Sequence, residues 1–332
     1  MADDMIDLVV TSAPHVRKKI ATSTIMRDVL IALIPATIGG LYFFGARHTL
    51  GVIVVAILSA FLAEYLGNLM FRKKSTLWDL SSGVTGLLLA LVLPPSSPYW
   101  MVVVGAFSAI LLGKIIFGGI GSNPFNPALV GRAVLMVSWP ALMTTWVKPF
   151  YWKISSRSVD AVTSATPLNV IKLSGYANLI SAFGSKGALY KALFLGNVGG
   201  SIGETSALLI LIGGLYLLAR KVIDWRIPVS YIMTVFVLSF VFGRDPIFSI
   251  LAGGLFLGAF FMATDYSSSP VTPNGKIVFG IFIGFVTVLI RQFGAYPEGV
   301  MFSIILGNAF VPYFDKIKPH VYGVLLKKGG KA

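Results

Sequence analysis

The sequence predicts an all-α polytopic membrane protein. About ten transmembrane helices form two inverted five-helix repeats, with an extracytoplasmic loop between them. Three observations lead there. Of the 332 residues, 56% are hydrophobic and only 12% are charged, with mean hydropathy +0.83, whereas soluble domains carry about 25% charge. Apolar blocks approaching the roughly 20 residues that a bilayer crossing needs recur along the chain. Clusters of Lys and Arg fall between alternate blocks.

Residues 1–28 form a cytoplasmic N-terminus. Asp3, Asp4, Asp7, Arg17, Lys18 and Lys19 leave it no continuous apolar core, so no cleavable signal peptide is expected. The first repeat covers 29–144, with spans at about 29–46, 50–71, 78–93, 99–117 and 127–144. The second span stops at Arg72-Lys73-Lys74, the third at Pro94-Pro95, and Gly118 to Asn126 is a Gly/Asn/Pro-rich break. A polar interval, 145–203, carries only short helices. The second repeat, 204–315, has spans at about 204–220, 227–243, 246–264, 277–293 and 298–314, and 316–332 is a basic cytoplasmic tail. The order of spans and breaks over 79–142 recurs over 245–314, and inverted repeats with broken helices place ligand sites between the halves.

A cytoplasmic N-terminus puts Arg72-Lys73-Lys74, Arg220-Lys221, Arg226 and the lysine tail inside, as the positive-inside rule requires. The C-terminus is then cytoplasmic as well. Five spans precede the polar interval, so that interval, with Thr166, is extracytoplasmic. The net charge of +14 follows from the same rule and does not indicate nucleic-acid binding. Trp78, Trp100, Trp146, Trp152 and Trp225 stand near predicted span ends, the place of interface belts against membrane lipid.

The polar interval contains Asp160-Ala161-Val162-Thr163-Ser164-Ala165-Thr166-Pro167-Leu168. Locally this is a helix start: Thr166 is a good N-cap and Pro167 suits the first helical position. Capping alone accounts for the residue types, but unpaired N–H groups at such a start also favour an anion. In an apolar polytopic chain, Asp-x-x-Thr-x-Ala-Thr-Pro-Leu resembles the flavinylation motif of the NqrB/RnfD family. That family holds RnfD, a membrane component of the Rnf ion-translocating electron transport complex, and NqrB, its relative in the sodium-pumping NADH:quinone reductase. The resemblance implies FMN joined to Thr166 by a phosphoester, with Asp160, Thr163, Ser164, Ala165, Pro167 and Leu168 as the surrounding motif. The family usually has Gly where this chain has Ser164; a small residue is kept. The first span begins near residue 29, without the longer N-terminal extension of the reductase component, so the Rnf branch is the nearer one.

Asn123-Pro124-Phe125-Asn126-Pro127-Ala128 also resembles a family signature, and the break from Ala263 through Asp265 and Thr272 to Lys276 resembles a second. The resemblance implies a second, non-covalent flavin (riboflavin or FMN) near the cytoplasmic side, with Asn123, Asn126, Asp265 and Thr272 as candidate residues; an ordinary capped turn at Asn126 is the plainer reading. Ionisable residues in or near spans are functional candidates because burying them in lipid is costly. Glu64 is the least comfortable of these and is the candidate for an ion pathway. Lys114 can snorkel, Arg132 shares the category, and Asp79, Glu204 and Asp265 fall at span ends where water reaches them.

The absence of cysteine excludes disulfides and Cys-ligated iron–sulfur clusters within the chain, and His15, His48 and His320 are too scattered for a bis-His haem. No metal site, P-loop or hydrolase triad is read. An organic cofactor would carry electrons, and a separate flavin transferase would attach it. The family reading implies a flavin-carrying subunit of a ferredoxin:NAD oxidoreductase complex coupled to sodium or proton translocation, a translocase whose complete active site is not in this chain. It implies partner subunits, including a second covalent-flavin subunit and iron–sulfur subunits, in a bacterial or archaeal cytoplasmic membrane. The hydropathy alone permits another reading, an inverted-repeat secondary transporter or channel without a redox cofactor.

Overall fold

A computed structural model describes residues 21–73, 76–153, 165–294, 296 and 298–317. The motif residues Asp160, Thr163 and Ser164, and the basic tail beyond 317, lie outside them. The protein is an all-helical polytopic membrane protein. Among the described residues, three helices are long and apolar enough to cross a bilayer: α1 (Thr22–Phe44), α2 (Ala46–Met70) and α14 (Pro273–Phe293). Shorter apolar helices are α3 (Ser81–Leu91), α4 (Tyr99–Ile110, running on as a π turn to Ile115), α5 (Pro127–Ser138), α10 (Ala207–Ala219), α11 (Arg226–Val241) and α15 (Val300–Phe314). The polar interval supplies α7 (Pro167–Ser174), α8 (Tyr176–Phe183) and α9 (Lys186–Leu195), preceded by the single turn α6 (Pro140–Met143).

Three predicted spans are not continuous helices. In place of 78–93 the chain makes a 3-10 turn, Leu77–Asp79, passes through a left-handed residue at Leu80, and forms α3. The Asp79 carboxylate fixes that start by accepting from both the amide and the hydroxyl of Ser81, at 2.8 and 2.5 Å. All 11 residues of α3 are buried. At 1.5 Å per residue it spans about 16 Å, half of a bilayer core. In place of 246–264 there are α12 (Pro246–Leu251), a break at 252–254, and α13 (Leu255–Leu257) leading into a π turn, Gly258–Met262. The break turns on Gly253, whose φ of +71° suits glycine. The predicted fifth span divides at Trp139, where α5 ends before Pro140. The first span starts earlier than expected, at Thr22. Trp146, expected at an interface, is buried.

Helices that meet tightly do so over small residues, as in membrane bundles generally. Gly86 of α3 lies against the backbone of Ala56 and Ile57 in α2, and Gly280 and Gly284 of α14 lie against Ser230 and Thr234 of α11. The closest approach to a backbone atom joins α1 and α10: a Cβ at Gly213 of α10 would stand 2.0 Å from the carbonyl oxygen of Ala32 in α1. Gly213→Ala is therefore expected to separate α1 from α10 and lower stability by about 1–3 kcal/mol. Gly187→Ala in α9, where a Cβ meets nothing within 4 Å, is expected to raise it slightly. Thermal midpoints of the two variants in detergent check the contrast.

Candidate functional site

The fold gathers the sequence candidates at opposite ends of α1, which at 23 residues is about 35 Å long. At the end where α1 begins, the two polar breaks meet. The Asn126 amide donates to Met262 O at 3.2 Å, while its oxygen caps α5 by accepting from Leu129 N at 3.3 Å. Asn123 reaches Asp265 at 3.5 Å, and Ser267 and Ser268 donate to the same carboxylate at 3.1 and 2.9 Å. A cavity of about 700 Å³ lies between them, walled by Lys114, Asn123, Asn126, Asp265, Phe260 and Tyr266 among others. Thr272 does not join this group. It caps α14 by accepting from Gly275 N at 3.2 Å, and its amide donates to Asp315.

Glu64 is fully buried in α2, and Lys114 does not snorkel: it is 2% exposed. Lys114 Nζ donates to Glu64 Oε1 at 2.6 Å and to Ser81 Oγ at 2.5 Å. Thr76 adds a hydroxyl donor to the same Glu64 oxygen at 2.5 Å, and Asn68 supports Thr76 at 3.0 Å. The second Glu64 oxygen and the Ser82 hydroxyl are buried without partners among the described residues. Because Lys114 and Ser81 also wall the cavity, Glu64 stands one side chain behind its surface.

At the far end lies Thr166. It is only 4% exposed, so it is not the solvated loop residue that a polar interval suggests. Its hydroxyl caps α7, accepting from Asn169 N at 3.3 Å, and its carbonyl accepts from Val170 N at 2.9 Å. Leu168 holds the helix down by packing with Leu179, Leu189, Leu193 and Phe248. Thr166 borders a small pocket with Gly199, Gly200, Gly253, Glu204 and Glu298. Its neighbours Ala165 and Pro167 border a larger open cleft of about 1150 Å³ that also has Lys148, Phe183 and Asn197 on its walls. The Thr166 alcohol, at a helix start, is a group that can be esterified, and the cleft bordered by its two neighbours offers Lys148 as a charge for a phosphate and Phe183 as a face for a ring.

A buried charge cluster beside Thr166 has no local sequence signal. Arg132 of α5 donates from Nη1 to Glu204 at 2.7 Å and from Nη2 to Glu298 at 2.8 Å, and Ser201 donates to the other Glu204 oxygen at 2.8 Å. Glu204 is buried rather than wetted at a span end. Nearby, Tyr176 and Tyr190 donate short hydrogen bonds to Asp245, whose other oxygen accepts from Phe248 N. Burial alone would push the Asp245 carboxyl up, but these donors outweigh it and hold it below the usual carboxylate range.

A model of the NQR2, RnfD, RnfE family matches residues 9–323. The chain is 50% identical over 314 residues to the D component of the proton-translocating ferredoxin:NAD(+) oxidoreductase complex of Clostridium ljungdahlii, covering 92% of this chain and 93% of that one. It is 42% identical over 331 residues to the D component of the Na(+)-translocating ferredoxin:NAD(+) oxidoreductase complex of Acetobacterium woodii, covering 98% and 99%. It is 36% identical over 350 residues to the D component of the ion-translocating oxidoreductase complex of Escherichia coli, covering 95% and 98%.

Proposed function

The chain belongs to the NQR2, RnfD, RnfE family, and from that premise we propose that it is the flavin-carrying membrane subunit of a ferredoxin:NAD oxidoreductase complex that couples electron transfer to sodium or proton translocation. Thr166 is the residue that would carry FMN, as a phosphoester through its Oγ. The observation that supports this most directly is the position of that hydroxyl at the start of α7, in a residue whose neighbours Ala165 and Pro167 border a cleft with Lys148 and Phe183 on its walls. The cavity between the two polar breaks would hold a second, non-covalent flavin, with Asn123, Asn126 and Asp265 offering polar contacts and Phe260 and Tyr266 offering aromatic surface.

In this reading the ten apolar segments are the spans of two inverted five-helix repeats, 29–144 and 204–315, and 145–203 is the loop outside. The end where α1 begins is cytoplasmic: Arg72, Lys73, Arg220, Lys221, Arg226 and Lys276 gather there. Thr166, near the other end of α1, would face outward in the cytoplasmic membrane, where a flavin transferase could load it and a partner's flavin could exchange electrons with it. Iron–sulfur partners would supply the metal redox centres that this cysteine-free chain does not. The flavins, when bound, supply the redox chemistry. The chain's own residues position them, exclude water and set the surrounding charge.

The broken helices α3 and α12–α13 are also what an inverted-repeat transporter uses to build a substrate site. Flavin content separates the readings. The full chain, co-expressed with a flavin transferase and purified, should be yellow. Denaturation should release about one equivalent of flavin and leave a second on the protein. A colourless protein made beside an active transferase would favour the transporter.

A further inference from the structure

A separate pocket, about 590 Å³, lies at the far end between the last turns of α11 and α14 and the overlying α7. Its walls are of two kinds. Leu168, Ile171, Phe248 and Val288 are apolar, whereas Arg244 and Arg291 bring two guanidinium groups. Arg291 is 6% exposed. It donates from Nη1 to Ser249 O at 2.6 Å and from Nη2 to Ala252 O at 3.0 Å, and its Nε has no partner among the described residues. Arg244 donates from Nη1 to Arg291 O at 3.3 Å. Among the described residues neither makes a salt bridge.

The other charges around the pocket offset the pair only in part. Asp245 puts one carboxylate in the wall against two guanidinium groups, and its oxygens accept from Tyr176, Tyr190 and the Phe248 amide, so it makes no ion pair with either arginine. Glu204 and Glu298 are both drawn to Arg132. Lys172, on the same α7, donates to Gly294 O and adds positive charge at the rim, and Lys186 stands over the Tyr176 ring. Carbonyl acceptors alone compensate a buried guanidinium only partly, and its unused N–H donors match a phosphate.

The pocket's surroundings indicate what carries the phosphate. Phe242, which caps α11, and Phe293, the last residue of α14, are exposed and meet edge to face at 6.1 Å between ring centres. Two exposed rings without a polar group give an apolar surface beside the guanidinium groups, suited to the acyl chains of a lipid. We infer that Arg244 and Arg291 bind a phosphate ester on an apolar body, supplied by the bilayer as the headgroup of an anionic phospholipid.

The test uses the delipidated full chain in an uncharged detergent, titrated with short-chain phosphatidylglycerol, phosphatidylcholine or inorganic phosphate and followed by native mass spectrometry. One phosphatidylglycerol should bind in preference to phosphatidylcholine. Arg244→Gln should weaken it about tenfold, and Arg244→Lys should restore part of the loss. Arg244 is partly exposed and Arg291 still caps α12 in these variants, so they should fold; unchanged thermal midpoints would verify that. Inorganic phosphate binding as tightly, with the same sensitivity to Arg244→Gln, would keep the phosphate site and assign it to a soluble ester instead of the bilayer. Equal binding of both lipids, indifferent to Arg244→Gln and with no phosphate binding, would overturn the inference.

Discussion

Thr166→Asn should abolish flavin that survives denaturing electrophoresis while leaving the protein in the membrane. The choice of asparagine follows from what the hydroxyl does. Thr166 Oγ1 accepts from Asn169 N, so it is a working N-cap as well as the proposed point of attachment. Alanine would remove both roles, and the lost cap alone costs about 1 kcal/mol. Asparagine keeps an acceptor for the cap but has no alcohol to esterify. The expected result is complete loss of in-gel fluorescence, a thermal midpoint near that of wild type, and retention of any flavin released by denaturation. Thr166→Ser should keep the fluorescence, since the alcohol remains. A fluorescent Thr166→Asn protein would place the phosphoester on another residue.

Lys114→Met should be strongly destabilising. It leaves the Glu64 carboxylate fully buried, with Thr76 as its remaining donor. Breaking a buried ion pair from one side costs about 3–5 kcal/mol, because an uncompensated charge stays behind. Lys114→Met combined with Glu64→Gln should recover most of that loss, since a neutral amide can still accept from Thr76. The measurement is the thermal midpoint of the three proteins in detergent. A double variant as unstable as Lys114→Met would mean that the two groups are not coupled.

The family signature and the polar breaks are local, and the sequence carried them: Thr166 caps the helix that its neighbours Pro167 and Leu168 begin, and Asn126 caps α5. The ion pairs are not local. Glu64 and Lys114 are 50 residues apart, Arg132 and Glu204 are 72, and Arg132 and Glu298 are 166. No spacing rule connects such positions; only the packing of α2 on α4, and of α5 against the segments that lead into α10 and α15, brings them together. Hydropathy also cannot tell a helix that faces lipid from one enclosed by protein. Every residue of α3 is buried, so it has no polar face to betray that it stops halfway. Thr272 lies in the segment that carries the second signature, and its side chain is spent on capping α14.

The π turns at Leu111–Ile115 and Gly258–Met262 each come just before a polar break. A π turn holds more residues than an α turn and shifts the angular phase of whatever follows it. In α4 the residue inside that turn is Lys114, and an α-helical residue occupies about 100° of the helix circumference. Removing one residue between Tyr99 and Leu111 would therefore swing Lys114 by about a quarter turn, away from Glu64 and from the cavity wall together. Length in this stretch is thus quantised: changes that preserve phase can be absorbed, and a change of one residue would uncouple the ammonium from both places it serves.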